Sequence, residues 1–166
     1  NGLAVEMDIE KEIFARVITF GKSWGNAGGV VLGSQTLIDF LINFARPFIY
    51  STSPSPHHVS SLSTTLDWLE TQSDLRKKLK ENIAYFVEHA TSSHWGPSKT
   101  AIQTFFVAGN KAVKKKALVM QEAGFAVKAI VYPTVPKGEE RIRITLNSLT
   151  KKEAILALIK TMETDA

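Results

Sequence analysis

One lysine, Lys22, lies in a glycine-rich turn between two apolar runs, and this arrangement most constrains the fold of the chain. The β-branched residues of 13–19 predict a strand that leads into the turn, and residues 30–33 predict a strand that leaves it. Lys22 is therefore expected at a strand end, flanked by apolar side chains. Such surroundings favour the neutral amine, which is the form that condenses with an aldehyde.

Two other interpretations of the turn compete with this one. Gly21-Lys22-Ser23 imitates the end of a phosphate-binding P-loop, but that motif requires a glycine five positions before Gly21, where Arg16 stands. A solvated lysine in an ordinary β-turn is the commoner outcome for an arbitrary Gly-Lys pair. The sequence of the turn alone does not decide whether Lys22 is a solvated surface lysine or a reactive one.

Composition narrows the class of protein. With 166 residues, 44% of them apolar and 22% charged, the chain has the make-up of a globular protein. No cysteine is present, which excludes disulfides and thiolate metal sites and suits a reducing cytoplasm. The histidines do not show the spacing of a metal-ligand set, so no metal site is predicted; they are His57, His58, His89 and His94.

The net charge of +4 permits contact with polyanions, but the pattern does not favour it. The clusters at 76–78 and 114–116 lie on predicted helices, where a solvated face is expected, and aromatic stacking residues do not accompany them. No apolar run has the length of a membrane-spanning helix. We therefore predict neither a nucleic-acid partner nor a membrane partner.

Hydrophobic periodicity predicts three helices after the lysine hairpin, at 36–45, 57–71 and 73–90, the last capped by Ser73. Pro47 is expected to end the first of them and to leave 48–53 extended. One face of that helix is expected in the core, and it carries Leu37, Phe40, Leu41 and Phe44.

Beyond a loop at 91–99 the pattern changes to strand, helix, strand, strand, helix. Strands are predicted at 101–107, 125–132 and 141–146. A helix capped by Asn110 should end at Gly124, and a capping box that begins at Thr150 should open the last helix. This α+β order predicts a small sheet with helices on one face, as in a free-standing ligand-binding or RNA-binding α/β module.

Three separated blocks carry a resemblance to a known family. They are Thr19-Phe20-Gly21-Lys22 followed by Gly28-Gly29, the segment NFARPFIYSTS at 43–53, and the segment PTVPKGEERIRIT at 133–145. In this order they resemble the α-oxoamine synthases, which are fold-type I pyridoxal-phosphate enzymes, and within that family the branch of the biotin pathway. The match runs through essentially the whole chain.

The resemblance implies an α/β protein with two parts. Residues 1–56 would be the end of a fold-type I large domain with its lysine loop. Residues 57–166 would be linking helices and a small C-terminal α+β domain with a three-stranded sheet. The large-domain residues that hold the cofactor ring in the family have no counterpart in this sequence. We therefore expect the chain to be the C-terminal part of a longer cytoplasmic enzyme, folded from residue 57 onward but inactive by itself.

The resemblance also assigns roles to individual residues. Lys22 would bind pyridoxal phosphate covalently and act as the catalytic base, and Thr19 would donate to the cofactor phosphate. Ser51 and Thr52 would reach the phosphate across a homodimer interface. Arg143 would bind the carboxylate of the amino acid, while Arg141 faces solvent or a structural partner. The implied substrates are an acyl thioester of the pimeloyl-CoA type and L-alanine, with glycine and serine as alternatives.

Overall fold

In the computed structural model, which describes residues 2–164, the two apolar runs around Lys22 form an antiparallel hairpin. Strand β1 (Ala15–Thr19) pairs with β2 (Gly29–Gly33) from Ala15 opposite Gly33 to Thr19 opposite Gly29. A short helix, α1 (Leu3–Glu6), precedes the hairpin. The predicted strand–turn–strand arrangement is confirmed, with Lys22 just past the end of β1.

Three helices follow the hairpin, and they are α2 (Gln35–Phe44), α3 (Arg46–Ile49) and α4 (Pro56–Thr71). The prediction that residues 48–53 are extended after Pro47 is wrong for residues 48 and 49. Proline is tolerated in the first turn of a helix because the N–H groups there have no partner within the helix. Pro47 occupies such a position in α3, so it helps to begin a new helix.

Compact packing divides the chain into two units, Asn1–Thr71 and Gln72–Ala166. In the first unit, no residue among 2–71 is buried. The prediction that the apolar face of α2 is core is therefore wrong within this unit. Phe40 and Phe44 are exposed and stack on each other, with ring centroids 4.9 Å apart. The predicted domain boundary after residue 56 stays a prediction.

The second unit contains a three-stranded antiparallel sheet in the order β3 (Ile102–Phe106), β5 (Arg141–Thr145), β4 (Lys128–Ile130). Its helices are α5 (Ser73–His89), α6 (Asn110–Glu122) and α7 (Lys152–Thr164). Helix α6 packs on β4 and β5, and α7 packs on α5 and α6. The predicted sheet with its helices is confirmed.

The core of the second unit lies between the sheet and the helices. In the central strand β5, Ile142 and Ile144 are buried and Arg143 and Thr145 are exposed, as period-two alternation requires. The side chains that form the core are Phe86, Phe105, Val113, Ala117, Met120, Val127, Ile142, Ile144, Leu146, Ile155, Leu158, Ile159 and Met162. One face of the sheet is therefore left open.

The outer edge of β3 is covered by the loop before it. Phe106 N donates to His94 O at 2.8 Å, and Gly96 N donates to Thr104 O at 2.9 Å. Trp95 bridges to Phe105 between these two bonds, and their rings meet edge to face at 4.7 Å. The loop at 91–99 thus adds a short piece of ladder to the sheet.

Three predicted helix caps are wrong. Gln72 and Gly109 occupy the N-cap positions expected for Ser73 and Asn110. The Asn110 amide instead bonds both backbone groups of Tyr132, and the Thr150 hydroxyl donates to Asn147 Oδ1 while α7 begins only at Lys152. In each of the last two cases the capping side chain has found a partner elsewhere.

The predicted end of α6 agrees with the structure, because Gly124 follows the C-cap with φ of 90°. Within residues 2–164, no helix is both long and apolar enough to cross a membrane.

Candidate cofactor and substrate site

Lys22 is held in a backbone conformation that L-residues rarely adopt. Its φ is 55°, in the left-handed region, and it begins a single 3-10 turn, Lys22–Trp24, directly after the hairpin strand. Outliers of this kind concentrate at functional sites, where the surrounding structure compensates for their cost. The Lys22 side chain is exposed, so the expectation that apolar groups enclose it is not met within this chain.

The loop that carries Lys22 is closed by backbone hydrogen bonds. Phe20 N donates to Gly28 O at 2.9 Å, and Asn26 N donates to Phe20 O at 2.8 Å. The 3-10 turn ends at Gly25, which has φ of 63° and donates to Lys22 O at 3.0 Å. The loop therefore has a defined shape that does not depend on the Lys22 side chain.

Two side-chain contacts fasten this loop to helix α4. Asn26 Nδ2 donates to Ser61 Oγ at 3.1 Å, and His58 Nε2 bonds Ala27 O at 3.1 Å. Because a carbonyl only accepts, the imidazole donates in the second bond. Sequence analysis missed both contacts, since neither partner belongs to a motif and they lie 35 and 31 positions apart.

The three hydroxyls predicted to bind the phosphate differ in whether they already donate a hydrogen bond within the chain. Thr19 is exposed at the end of β1, opposite Gly29. Ser51 donates its hydroxyl proton to Pro47 O, so that donor is already in use. Thr52 is exposed, and its hydroxyl makes no hydrogen bond to the rest of residues 2–164. A phosphate requires donors, which makes Thr19 and Thr52 better suited than Ser51.

The two arginines of β5 have different surroundings. Arg141 forms an ion pair with Glu139 at 3.0 Å and lies over the Phe106 ring, 4.7 Å from its centroid. Arg143 is exposed on the open face of the sheet, between Thr104 on β3 and Lys128 on β4. The structural partner expected for Arg141 is therefore present, while Arg143 presents its guanidinium to solvent.

A buried carboxylate, Glu140, organises the turn before β5. It is 2% exposed, and its Oε2 accepts from Gly109 N and from Gly138 N, both at 2.9 Å. The N–H groups of Gly109, of Glu140 itself and of Gly138 lower the pKa of this carboxyl below its ordinary value of 4.5, although burial acts in the opposite direction. Sequence analysis missed Glu140, because its role depends on a long-range contact with Gly109.

Comparison with known proteins places these features in a family. The protein family described as "Aminotransferase class I and II" matches residues 3–160 of this chain. The chain belongs to the aminotransferase class I and II family. Members of this family use pyridoxal phosphate, so the predicted cofactor is confirmed. The similar proteins below are of the α-oxoamine synthase type, which confirms that resemblance.

Individual aminotransferase-family relatives cover nearly all of this chain. The 8-amino-7-oxononanoate synthase of Chromohalobacter salexigens is 39% identical over 156 residues, which are 93% of this chain and 40% of that protein. The solved structure of the Francisella tularensis 8-amino-7-oxononanoate synthase has a TM-score of 0.80 at 24% identity, over 92% of this chain and 45% of that one. A Sphingomonas wittichii serine palmitoyltransferase has a TM-score of 0.86 at 21% identity, over 99% of this chain and 42% of that one.

These matches bear on the fold more than on the chemistry of the site. At 24% and 21% identity, the two structural likenesses concern the fold, and they confirm the predicted fold class. The chain spans about 40% of the length of the curated relatives it matches. The roles of individual residues remain predictions.

The aminotransferase-family residues that fit pyridoxal phosphate lie in the first unit. Lys22 offers an exposed amine on an anchored loop, and within residues 2–164 the hydroxyls of Thr19 and Thr52 have no hydrogen-bond partner. Arg143 belongs to the second unit.

Within residues 2–164, no group of three or more His, Cys, Asp or Glu side chains is placed to hold a metal ion.

Proposed function

We propose that this chain supplies the lysine, phosphate-binding and carboxylate-binding residues of a PLP-dependent acyltransferase. The reaction condenses a pimeloyl-CoA type thioester with L-alanine, with loss of carbon dioxide, to give 8-amino-7-oxononanoate for biotin synthesis. Relatives that bear that enzyme's name support the proposal, at 39% and 34% identity. The observation that carries it is the left-handed Lys22 on a loop anchored to α4.

Lys22 has two tasks in this proposal. Its Nζ would hold the cofactor through the cofactor's aldehyde, and its amine would also take the proton from the substrate Cα. Both tasks require the amine to return to one position. The fixed backbone of residues 20–28 provides this, because it limits the lysine to motions of its own side chain.

Thr19 and Thr52 bind the phosphate, and Arg143 binds the substrate carboxylate. When bound, pyridoxal phosphate supplies an electron sink for the substrate carbon that loses its proton. The planar guanidinium of Arg143 can hold both oxygens of a carboxylate, and this fixes the orientation of the bound amino acid. Ser51 and Thr52 act across the interface of a homodimer, with Ser51 chiefly shaping the segment through its bond to Pro47.

The 166-residue chain is expected to show no synthase turnover alone, because the acidic partner of the pyridine nitrogen and the ring-stacking histidine of the family have no counterpart in it. Mixing the chain with pyridoxal phosphate, L-alanine and pimeloyl-CoA and following free CoA tests this expectation. Sustained turnover that depends on Lys22 would contradict it. Action in the cytoplasm likewise stays a prediction.

The deciding experiment uses the complete gene product that contains this chain. Borohydride reduction in the presence of pyridoxal phosphate, followed by peptide mapping, should place the label on Lys22, and a label confined to other lysines would refute the assignment. Release of CoA from pimeloyl-CoA should depend on L-alanine. Faster release with glycine or L-serine would make the enzyme a different α-oxoamine synthase while leaving Lys22 in its role.

A further inference from the structure

A second cation lies directly beside Arg143 on the open face of the second unit's sheet. In the antiparallel register of β4 and β5, Lys128 is opposite Arg143, and both residues are exposed. Opposite residues of an antiparallel pair project from the same face, with Cβ atoms about 4.5–5.5 Å apart, and like charges in this arrangement repel. The unliganded sheet therefore holds two positive charges in an unfavourable pair.

Neighbouring side chains do not neutralise this pair. The open face is formed by the outward positions of the three strands, and none of them is acidic; they are Ile102, Thr104, Phe106, Lys128, Ile130, Arg141, Arg143 and Thr145. Glu139 is engaged with Arg141. Within residues 2–164, neither Lys128 nor Arg143 forms an ion pair.

We propose that Lys128 and Arg143 together bind one carboxylate, that of the amino-acid substrate, so that Lys128 is a second substrate-binding residue. The proposal rests on the proposed role of Arg143. A carboxylate has about four lone-pair sites, and a guanidinium that binds both oxygens uses two of them. The Lys128 ammonium can occupy a third site. The anion then lies between two charges that otherwise repel each other, and binding relieves that repulsion.

Anion binding and stability are consequently coupled. A ligand that binds only the folded state stabilises it, and the stabilisation here includes the lost Lys128–Arg143 repulsion. Lys128→Gln should therefore make the protein more stable in the absence of a carboxylate, while weakening its stabilisation by a carboxylate. A merely solvated lysine would show neither effect.

The first test titrates the 166-residue chain with sodium acetate, at an ionic strength held constant with chloride, and follows the backbone amide NMR shifts of residues 104, 128 and 143. The dissociation constant should rise about two- to fivefold in Lys128→Gln. Lys160→Gln, which changes an exposed lysine on α7, serves as the control and should not alter it. An equal affinity in Lys128→Gln and the unmodified chain would overturn the two-cation site.

The second test uses the complete gene product with pyridoxal phosphate. Lys128→Gln should raise the KM for L-alanine about two- to fivefold with a smaller change in kcat, and Arg143→Gln should raise it further. If Arg143→Gln weakens alanine binding and Lys128→Gln does not, the inference fails while the proposed function stands. If neither variant affects alanine, the proposed role of Arg143 fails, even where the acetate site is present.

Discussion

At the scale of single residues, the backbone of Lys22 is the most informative feature. A non-glycine residue in the left-handed region costs about 1–2 kcal/mol, because its Cβ crowds the following carbonyl. Lys22, the residue proposed to carry the cofactor, adopts this conformation, which lowers the stability of the folded chain. The proposed cofactor role would account for a lysine at this position, whereas its backbone conformation favours glycine.

Replacement of Lys22 by glycine and by alanine should separate these two contributions. Both variants lose the amine, but only glycine relieves the backbone strain, so Lys22→Gly should be more stable than Lys22→Ala by about 1 kcal/mol. Urea unfolding of the two variants gives this difference. Gly25→Ala is the matched control, since it introduces a Cβ at φ of 63° in the same loop and should destabilise. Equal stability of the two Lys22 variants would show that the backbone is not strained.

The Glu140 carboxylate predicts a specific dependence of stability on pH. Its pKa is lowered in the folded state by the N–H of Gly109 and by other backbone donors. A carboxyl with a depressed folded pKa stabilises the protein above its unfolded pKa, and this contribution is lost as the pH falls through the folded pKa. Glu140→Gln should therefore be less stable than the unmodified chain at pH 7, by a margin that shrinks below the ordinary value of 4.5.

Urea unfolding at a series of pH values measures that margin. Glu139→Gln provides the comparison, because Glu139 is exposed and its ion pair with Arg141 lies at the surface. The margin of Glu139→Gln should be small across the series. A margin for Glu140→Gln that stays constant down to pH 2 would contradict the assigned role of its charge.

At the scale of elements, the tie between the lysine loop and α4 should control the loop's motion. Asn26→Ala removes the bond to Ser61, and His58→Ala removes the bond to Ala27. Each is expected to speed amide hydrogen exchange in residues 20–28 severalfold, while exchange in the β5 amides stays unchanged. Ser60→Ala is a suitable control, since it changes a neighbouring helical hydroxyl outside the tie. Unchanged exchange at residues 20–28 would show that the backbone bonds alone hold the loop.

Periodic elements were predictable from the sequence because burial alternates along them. The outward Arg143 and inward Ile142 and Ile144 follow from a period of two, and Gly124 follows from the need for a left-handed residue after a helix. Helix beginnings were less predictable. The side chains of Asn110 and Thr150 suit a cap, yet each bonds a partner that sequence pattern cannot place.

At the scale of the whole molecule, stability should be concentrated in the second unit. The buried side chains of the hydrophobic core lie between Phe86 and Met162, and no residue among 2–71 is buried. Native-state hydrogen exchange of the 166-residue chain should therefore give the slowest amides in β3, β5, α6 and α7. The amides of β1 and β2 should exchange much faster. Comparable protection in both units would show that the hairpin is stabilised by more than its own ladder.

The candidate site was only partly predictable at this scale. The family resemblance identified Lys22, Thr19 and Arg143 from short sequence motifs. The structure agrees with the predicted positions, since Thr19 and Lys22 lie at a strand end and Arg143 lies on an open sheet face. The anchors Asn26, His58 and Glu140 escaped prediction. Each makes a contact with a residue 31 to 35 positions away, and a single sequence contains no signal for such a pairing.

The loop that covers β3 also has a consequence for self-association. A free strand edge is a template on which another chain can add a strand. Here His94 and Gly96 already use backbone groups of β3, and the opposite edge strand, β4, is only three residues long. A Cβ at Gly96 would collide with the Thr104 hydroxyl, so a larger residue at this position requires the Thr104 side chain or the loop to shift. Gly96 thus helps to keep this edge of the sheet covered.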